Sequence, residues 1–352
     1  MGELPTLAVV GATGAVGSVM CELLSARKNM WGAVRLVASA GSVGRTVVVR
    51  GEELPVRAPA DDAFDGVDVA MFDVPDAVSR EWAPRAVARG AVVVDNSGAF
   101  RLDPDVPLVV PEINPEQARN RPRGIIANPG CTTLAMIVAV APLHHEYGLR
   151  ELVVSSYQAV SGAGRDGVET LLDQVAKVAG DRVLGSRSGN VRQAVGDDLG
   201  PFPAPVALNV VPWTGEVRDG GWSSEELALR DESRKILGLP DLKVTATCVR
   251  VPVVTGHSIS VHAVFGAEVE VAAVREVLRH APGVIMVDDP VAGEFPMPID
   301  AVGTDPSWVG RLRRSLDDPR ALDLFVTGDN LRKGAALNTT QIAEVVAAEL
   351  TR

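Results

Sequence analysis

Thr6-Leu7-Ala8-Val9-Val10-Gly11-Ala12-Thr13-Gly14-Ala15-Val16-Gly17 stands near the start of a chain of 352 residues. Residues 6–10 form a short apolar run, the glycines fall at 11, 14 and 17, and residues 18–26 suit a helix. Apolar run, glycine turn and helix in that order are a strand feeding a helix through a tight bend. The first glycine permits the bend, the second lets the backbone approach a pyrophosphate, and the third lets the helix lie close on the strand. Unpaired N–H groups at the helix start attract phosphate. The stretch therefore predicts dinucleotide binding, with Gly11, Thr13, Gly14, Ala15 and Val16 at the cofactor.

Outward from this turn, buried strands are expected at 34–38, 67–72 and 91–95, with a helix at 84–89 between the last two. Apolar strands alternating with helices make a parallel, doubly wound α/β sheet of Rossmann type. The pattern changes near Asn128. Residues 135–145 read as a buried helix, and β-rich runs follow at 152–157, 207–212, 243–254 and 258–265. These predict an α+β catalytic and dimerisation domain on a mixed or antiparallel sheet. Residues 182–205 read as a long loop. A strand at 322–327 precedes a closing helix at 336–350 that returns to the first domain. The expected division is 1–130 with 331–352 for the dinucleotide-binding domain and 131–330 for the second.

The formal net charge of −11 sets the chain against phosphate backbones, so nucleic acid is not expected as a partner. Hydrophobic residues make up 46% and charged residues 22%, enough for large cores and unlike a disordered chain. Cys21, Cys131 and Cys248 have no CxxC spacing and no neighbouring His pair, so neither a disulfide framework nor a metal site is expected. A reducing cytoplasm fits. Met1-Gly2-Glu3-Leu4-Pro5 lacks the basic and apolar regions of a signal peptide. Met1-Gly2 with Thr6 matches a myristoylation pattern formally, but the segment runs straight into a strand. The longest apolar stretch, 134–143, is too short to span a bilayer.

The second strand ends Val37-Ala38-Ser39-Ala40, with no acid to hold the ribose hydroxyls of NAD. Ser39, with Arg45 nearby, suits a 2′-phosphate better and points to NADP. Short-chain reductases share this turn but need Tyr-x-x-x-Lys; neither Tyr147 nor Tyr157 has lysine four residues on.

Asn128-Pro129-Gly130-Cys131-Thr132-Thr133 sets a cysteine where proline and glycine break one segment and a helix begins. Free N–H groups and the dipole at a helix start favour a thiolate and would stabilise an oxyanion. Cys131 is thus the expected nucleophile, while Cys21 and Cys248 lie in apolar segments as packing residues. His257 in Thr255-Gly256-His257-Ser258 is the expected base, held rigidly between two strands. His144 and His145 cap a helix end, and His262 and His280 have no supporting pattern.

Taken together, the glycine turn, 128–133, Ser155-Ser156-Tyr157-Gln158-Ala159-Val160-Ser161-Gly162, Arg250-Val251-Pro252-Val253 with Gly256-His257-Ser258, and Gly328-Asp329-Asn330-Leu331-Arg332-Lys333-Gly334 resemble the aspartate-β-semialdehyde dehydrogenase family over nearly the whole chain. The resemblance implies an oxidoreductase of amino-acid biosynthesis. Its reaction is the NADP- and phosphate-dependent interconversion of L-aspartate-4-semialdehyde and L-aspartyl-4-phosphate through a Cys131 thioester. It implies His257 as acid/base and Gln158 as the residue that orients substrate. Arg250 would clamp the α-carboxylate and Glu225 the amino group. Asn96 and Arg101 would line a phosphate site, with Asn330 and Ser39 at the cofactor. It implies a homodimer or homotetramer with a small-molecule partner and no membrane.

Four places depart from the family pattern. Gly130 stands where asparagine is usual, and Ala228 where a phosphate-binding lysine is usual. Gly41 replaces an arginine near the 2′-phosphate, and Asp73-Val74-Pro75-Asp76 replaces a small Ser-Ala-Gly-Gly-like turn. These lead us to expect a divergent member: a dehydrogenase with weakened phosphate affinity, a paralogue that keeps the Cys131 acyl-enzyme with another substrate, acceptor or cofactor (NAD, or none), or a non-catalytic relative. The two carboxylates would crowd and repel a phosphate-rich ligand.

Overall fold

A computed structural model describes residues 4–351. Met1, Gly2 and Glu3, on which the reading of the N-terminus rests, lie outside the described residues. The chain forms two compact units: 1–130, 232–239 and 332–352 in the first, 131–231 and 240–331 in the second.

The first unit is built on a seven-stranded sheet. Its strands are β1 (Leu7–Val10), β2 (Val34–Val37), β3 (Thr46–Val49), β4 (Glu52–Arg57), β5 (Val69–Phe72), β6 (Val92–Asp95) and β7 (Ile125–Ala127), in the order β3-β4-β2-β1-β5-β6-β7. All neighbours are parallel except β3 and β4. β1 and β5 are buried along their whole length, which is why they read as unbroken apolar runs. Helix α1 (Ala15–Ala26) follows the glycine turn, and α2 (Asp76–Ala88) links β5 to β6. α2 begins eight residues before the helix expected at 84–89, since Asp76 starts it directly after Pro75.

The second unit opens with α3 (Cys131–Tyr147), whose residues 132–141 are all buried. An apolar surface on every side fits a helix enclosed by its surroundings, and α3 packs on one face of a six-stranded sheet. The strands are β8 (Leu149–Gln158), β9 (Lys243–Arg250), β10 (His257–Phe265), β11 (Val284–Met286), β12 (Ser307–Arg314) and β13 (Ala321–Gly328), ordered β11-β12-β13-β10-β8-β9. β8 with β9 and β11 with β12 are parallel and the remaining pairs antiparallel, so the sheet is mixed. Helices α4 (Gly164–Val178), α5 (Asn190–Val195), α6 (Ser224–Leu237), α7 (Val271–His280) and α8 (Pro298–Ala301) complete the set up to β13. The expected loop at 182–205 therefore contains α5.

Residues 207–212 are not the expected strand. Leu208 has φ +54°, which turns the chain out of extended geometry, and only Val211 pairs, with Arg250. After β13 come π-helical turns at Arg332–Leu337 and then α9 (Asn338–Leu350), which belongs to the first unit. The buried Lys333 ammonium donates to both Glu112 carboxylate oxygens (2.8 and 2.7 Å), Asn338 Oδ1 and Gln341 Oε1, which compensates its burial. Segment 232–239, expected in the second domain, packs with the first unit. There Lys235 Nζ donates to the carbonyls of Arg101, Asp103 and Val106 at 2.7–2.8 Å.

Candidate active site

Cys131 is the first residue of α3 and is half-buried. β10 begins at His257, whose ring is fully buried with Nε2 3.3 Å from Cys131 Sγ. The other ring nitrogen, Nδ1, accepts the Ala159 backbone N–H at 3.1 Å. A ring nitrogen that accepts a hydrogen bond carries no proton, so the neutral imidazole has its proton on Nε2, facing the sulfur. Burial, and then the Arg250 charge, push the His257 pKa down to about 3. His257 is therefore neutral at physiological pH and is an Nε2–H donor toward Cys131.

Gln158 ends β8 and Arg250 ends β9, and the two are register partners. Gln158 is buried, and its Nε2 donates to Thr132 Oγ1 at 2.7 Å. Arg250 donates to the Ala159 carbonyl at 2.6 Å and lies over the Phe202 ring. Its pKa is lowered by burial, with the charges of Cys131 and Glu225 opposing that shift. Glu225 stands in the first turn of α6. A reciprocal cap starts that helix: Ser223 N–H donates to Glu226 (2.9 Å) and Glu226 N–H to Ser223 Oγ (3.3 Å). Cys131, Gln158, Glu225, Arg250 and His257 line one cavity of about 640 Å³. Gly162 keeps it open, because a Cβ there would lie 2.9 Å from the Arg250 guanidinium and 3.2 Å from the His257 ring. Asn330 Oδ1 accepts the Gly256 N–H at 2.8 Å and its amide also meets Ser161, so it pins the turn before His257.

In the first unit, Asn96 Oδ1 accepts from Asn128 (2.6 Å) and Asn96 Nδ2 donates to Asp73 (2.8 Å). Arg101 donates to the carbonyls of Asn128 and Asn96 and to Glu232. Glu232, which the sequence reading missed, is fully buried and accepts the Gly130 N–H at 2.8 Å, fixing the backbone just before Cys131. The glycine turn is as tight as its spacing predicts. Gly11 has φ +95°, and a Cβ there would lie 1.9 Å from the Asp73 carbonyl oxygen; one on Gly17 would lie 2.1 Å from that of Gly11. Thr13 Oγ1 meets Ser42 Oγ at 2.9 Å, beside the short turn that follows Ser39. This glycine turn at the start of α1, with no bulky side chain on residues 11–15, fits a dinucleotide pyrophosphate.

Residues 6–121 match the family model for the semialdehyde dehydrogenase NAD binding domain, and 140–333 match the semialdehyde dehydrogenase dimerisation domain. Aspartate-semialdehyde dehydrogenase of Corynebacterium glutamicum is 49% identical over 97% of this chain and 99% of its own. The chain belongs to the aspartate-semialdehyde dehydrogenase family. The Bacillus subtilis member is 42% identical over 98% of each chain. Aspartate semialdehyde dehydrogenase II of Vibrio cholerae, 36% identical over 99% of both chains, has a TM-score of 0.90, and the same enzyme has been solved complexed with ASA. These likenesses support the main reading over a change of substrate, and they do not mark the chain as divergent within aspartate-semialdehyde dehydrogenases. Of the two carboxylates expected to crowd the cofactor, Asp76 accepts the Gly98 N–H at 2.8 Å. Only Asp73 faces the glycine turn, its Oδ2 3.8 Å from where a Gly14 Cβ would stand.

Proposed function

We propose that this chain interconverts L-aspartyl-4-phosphate and L-aspartate-4-semialdehyde through a thioester on Cys131. The approach of Cys131 Sγ to His257 Nε2, 3.3 Å, at the mouth of α3 carries this reading. The helix start and the Nε2–H favour the sulfur as an anion. From the acyl phosphate, Sγ attacks the 4-carbonyl carbon, the carbon–oxygen bond to phosphate breaks, and inorganic phosphate leaves a Cys131 thioester. From the aldehyde, the same sulfur adds to the carbonyl carbon, and the His257 Nε2–H is placed to donate to the oxygen as it gains charge. Arg250 holds the α-carboxylate, Glu225 the ammonium group, and Gln158 the reacting carbonyl. Asn96 and Arg101 would line the phosphate side, and Asn330 would stand near the nicotinamide when it is bound.

The nicotinamide, when bound, supplies or accepts the hydride that joins the two halves. Gly11, Thr13, Gly14, Ala15 and Val16 would hold the pyrophosphate of the dinucleotide. Ser39, with no acid at the end of β2, favours NADP over NAD. We read the assembly as a homodimer through the sheet face opposite α3, where Val153 and Tyr157 are exposed. Three free cysteines suit the cytoplasm. Oxidation of aspartate semialdehyde followed with each nicotinamide, with and without phosphate, tests the reading: phosphate-dependent turnover preferring NADP supports it, and no turnover with either overturns it.

A further inference from the structure

The residue after β5 carries a property that neither the family match nor the site reading assigns. Asp73 lies against the glycine turn: its backbone N–H donates to the Val10 carbonyl at 2.8 Å, and its carbonyl oxygen abuts Gly11. Its Oδ1 is held by Asn96 Nδ2, which leaves Oδ2 directed at Gly14. Gly14 is the N-cap of α1, so this oxygen lies beside the helix start that attracts phosphate, 3.8 Å from where a Gly14 Cβ would stand. Two full negative charges cannot share that space cheaply.

We propose that Asp73 is a proton-linked affinity residue of the dinucleotide site, its carboxyl group taking up one proton from solvent when a pyrophosphate binds the glycine turn. This rests on the reading that the turn binds a dinucleotide. The balance is simple: carboxylate plus proton gives a neutral carboxyl, whose O–H can donate to a phosphate oxygen where the carboxylate repelled it. The surroundings favour the exchange. Asp95, buried behind Asp73 and bonded to Ser79 and Ser97, adds negative charge, while Arg101 opposes it. Asp76 is committed to the Gly98 N–H, and the turn from Gly11 to Gly17 has no titratable side chain. Burial already raises the Asp73 pKa in the free protein, the Asn96 hydrogen bond partly offsetting it. A phosphate charge beside it would raise it further.

The consequence is cofactor affinity that falls as pH rises through the free-protein pKa of Asp73, by up to about tenfold per pH unit. Titration calorimetry of the whole protein with NAD and with NADP, between pH 6 and 8.5 in buffers of different ionisation enthalpy, counts the protons taken up. The wild type should take up a proton fraction that Asp73→Asn and Asp73→Ser do not, and both variants should bind more tightly at the alkaline end. Comparing proteins with one ligand cancels the titration of the 2′-phosphate. Equal proton uptake and equal pH slopes in the wild type and either folded variant would overturn the inference while leaving the dinucleotide reading intact. Absence of binding by all three proteins would overturn the dinucleotide reading and this inference with it.

Discussion

The backbone N–H of Ala159 points at His257 Nδ1 and thereby leaves the ring's proton on the side of Cys131. A second proton on this ring would have to displace that hydrogen bond, and burial of the ring, with the Arg250 charge, holds the pKa at about 3. In the proposed reaction the ring would therefore act as a fixed donor to sulfur and to substrate oxygen, not as half of a thiolate–imidazolium pair.

This has a consequence for stability. The folded-state pKa lies below the ordinary value of 6.5, so the unfolded chain binds a proton that the folded chain refuses. The associated stability is complete above pH 6.5 and is lost as pH falls from there toward 3, at up to about 1.4 kcal/mol per pH unit. Urea unfolding at pH 7 and pH 5 should show the loss in the wild type, and His257→Gln should lack that part of the slope. In catalysis, His257→Gln, which can still donate, should retain at least about tenfold more activity than His257→Ala, given the roughly 10²–10⁴-fold worth of positioned proton donors.

Replacing Arg250 separates binding from chemistry. Its guanidinium is already fixed by the Ala159 carbonyl and the Phe202 ring. Arg250→Lys keeps the charge but loses the planar fork, so KM for the semialdehyde should rise by about 10- to 100-fold with a smaller change in kcat. Initial rates over a substrate series check this.

Glu232 is a positioning residue acting through Gly130. Removing a buried carboxylate that accepts from both Arg101 and the Gly130 N–H takes an ion-pair partner from the first and the acceptor from the second. Glu232→Ala should destabilise the protein by about 3 kcal/mol, while Glu232→Gln, which keeps an acceptor, should cost less; chemical denaturation measures both.

Ala228 lies three residues after Glu225 on α6, hence on the same helix face. A cation restored there should strengthen phosphate binding. Ala228→Lys is expected to lower KM for phosphate by about tenfold, read from the phosphate dependence of semialdehyde oxidation, with KM for the semialdehyde little changed.

How far the sequence leads depends on the range of each interaction. The glycine turn and Cys131 at a helix start are local, and Gly11 and Cys131 stand in the structure where that reading puts them. His257 falls at the expected turn, although nothing in its neighbours along the chain announces the Ala159 N–H. The β3–β4 pair escapes because β3 is only four residues long and Glu52, Glu53 and Arg57 make β4 read as polar surface, although Thr46-Val47-Val48-Val49 is a β-branched run. Glu232 and Lys235 look like ordinary charges on an exposed helix, since their partners lie more than 100 residues away. Residues 207–212 mislead in the other direction: apolar composition suggests a strand, but the left-handed Leu208 and the missing N–H of Pro212 leave one bridge.

The covalent step is tested most directly by intact-protein mass spectrometry after the enzyme is mixed with aspartyl phosphate, without nicotinamide, and quenched in acid. The account predicts an added aspartyl mass on the wild type, mapped to the peptide bearing Cys131 and absent from Cys131→Ala. Unlabelled wild-type protein that still turns over, or the same adduct on Cys131→Ala, would contradict it.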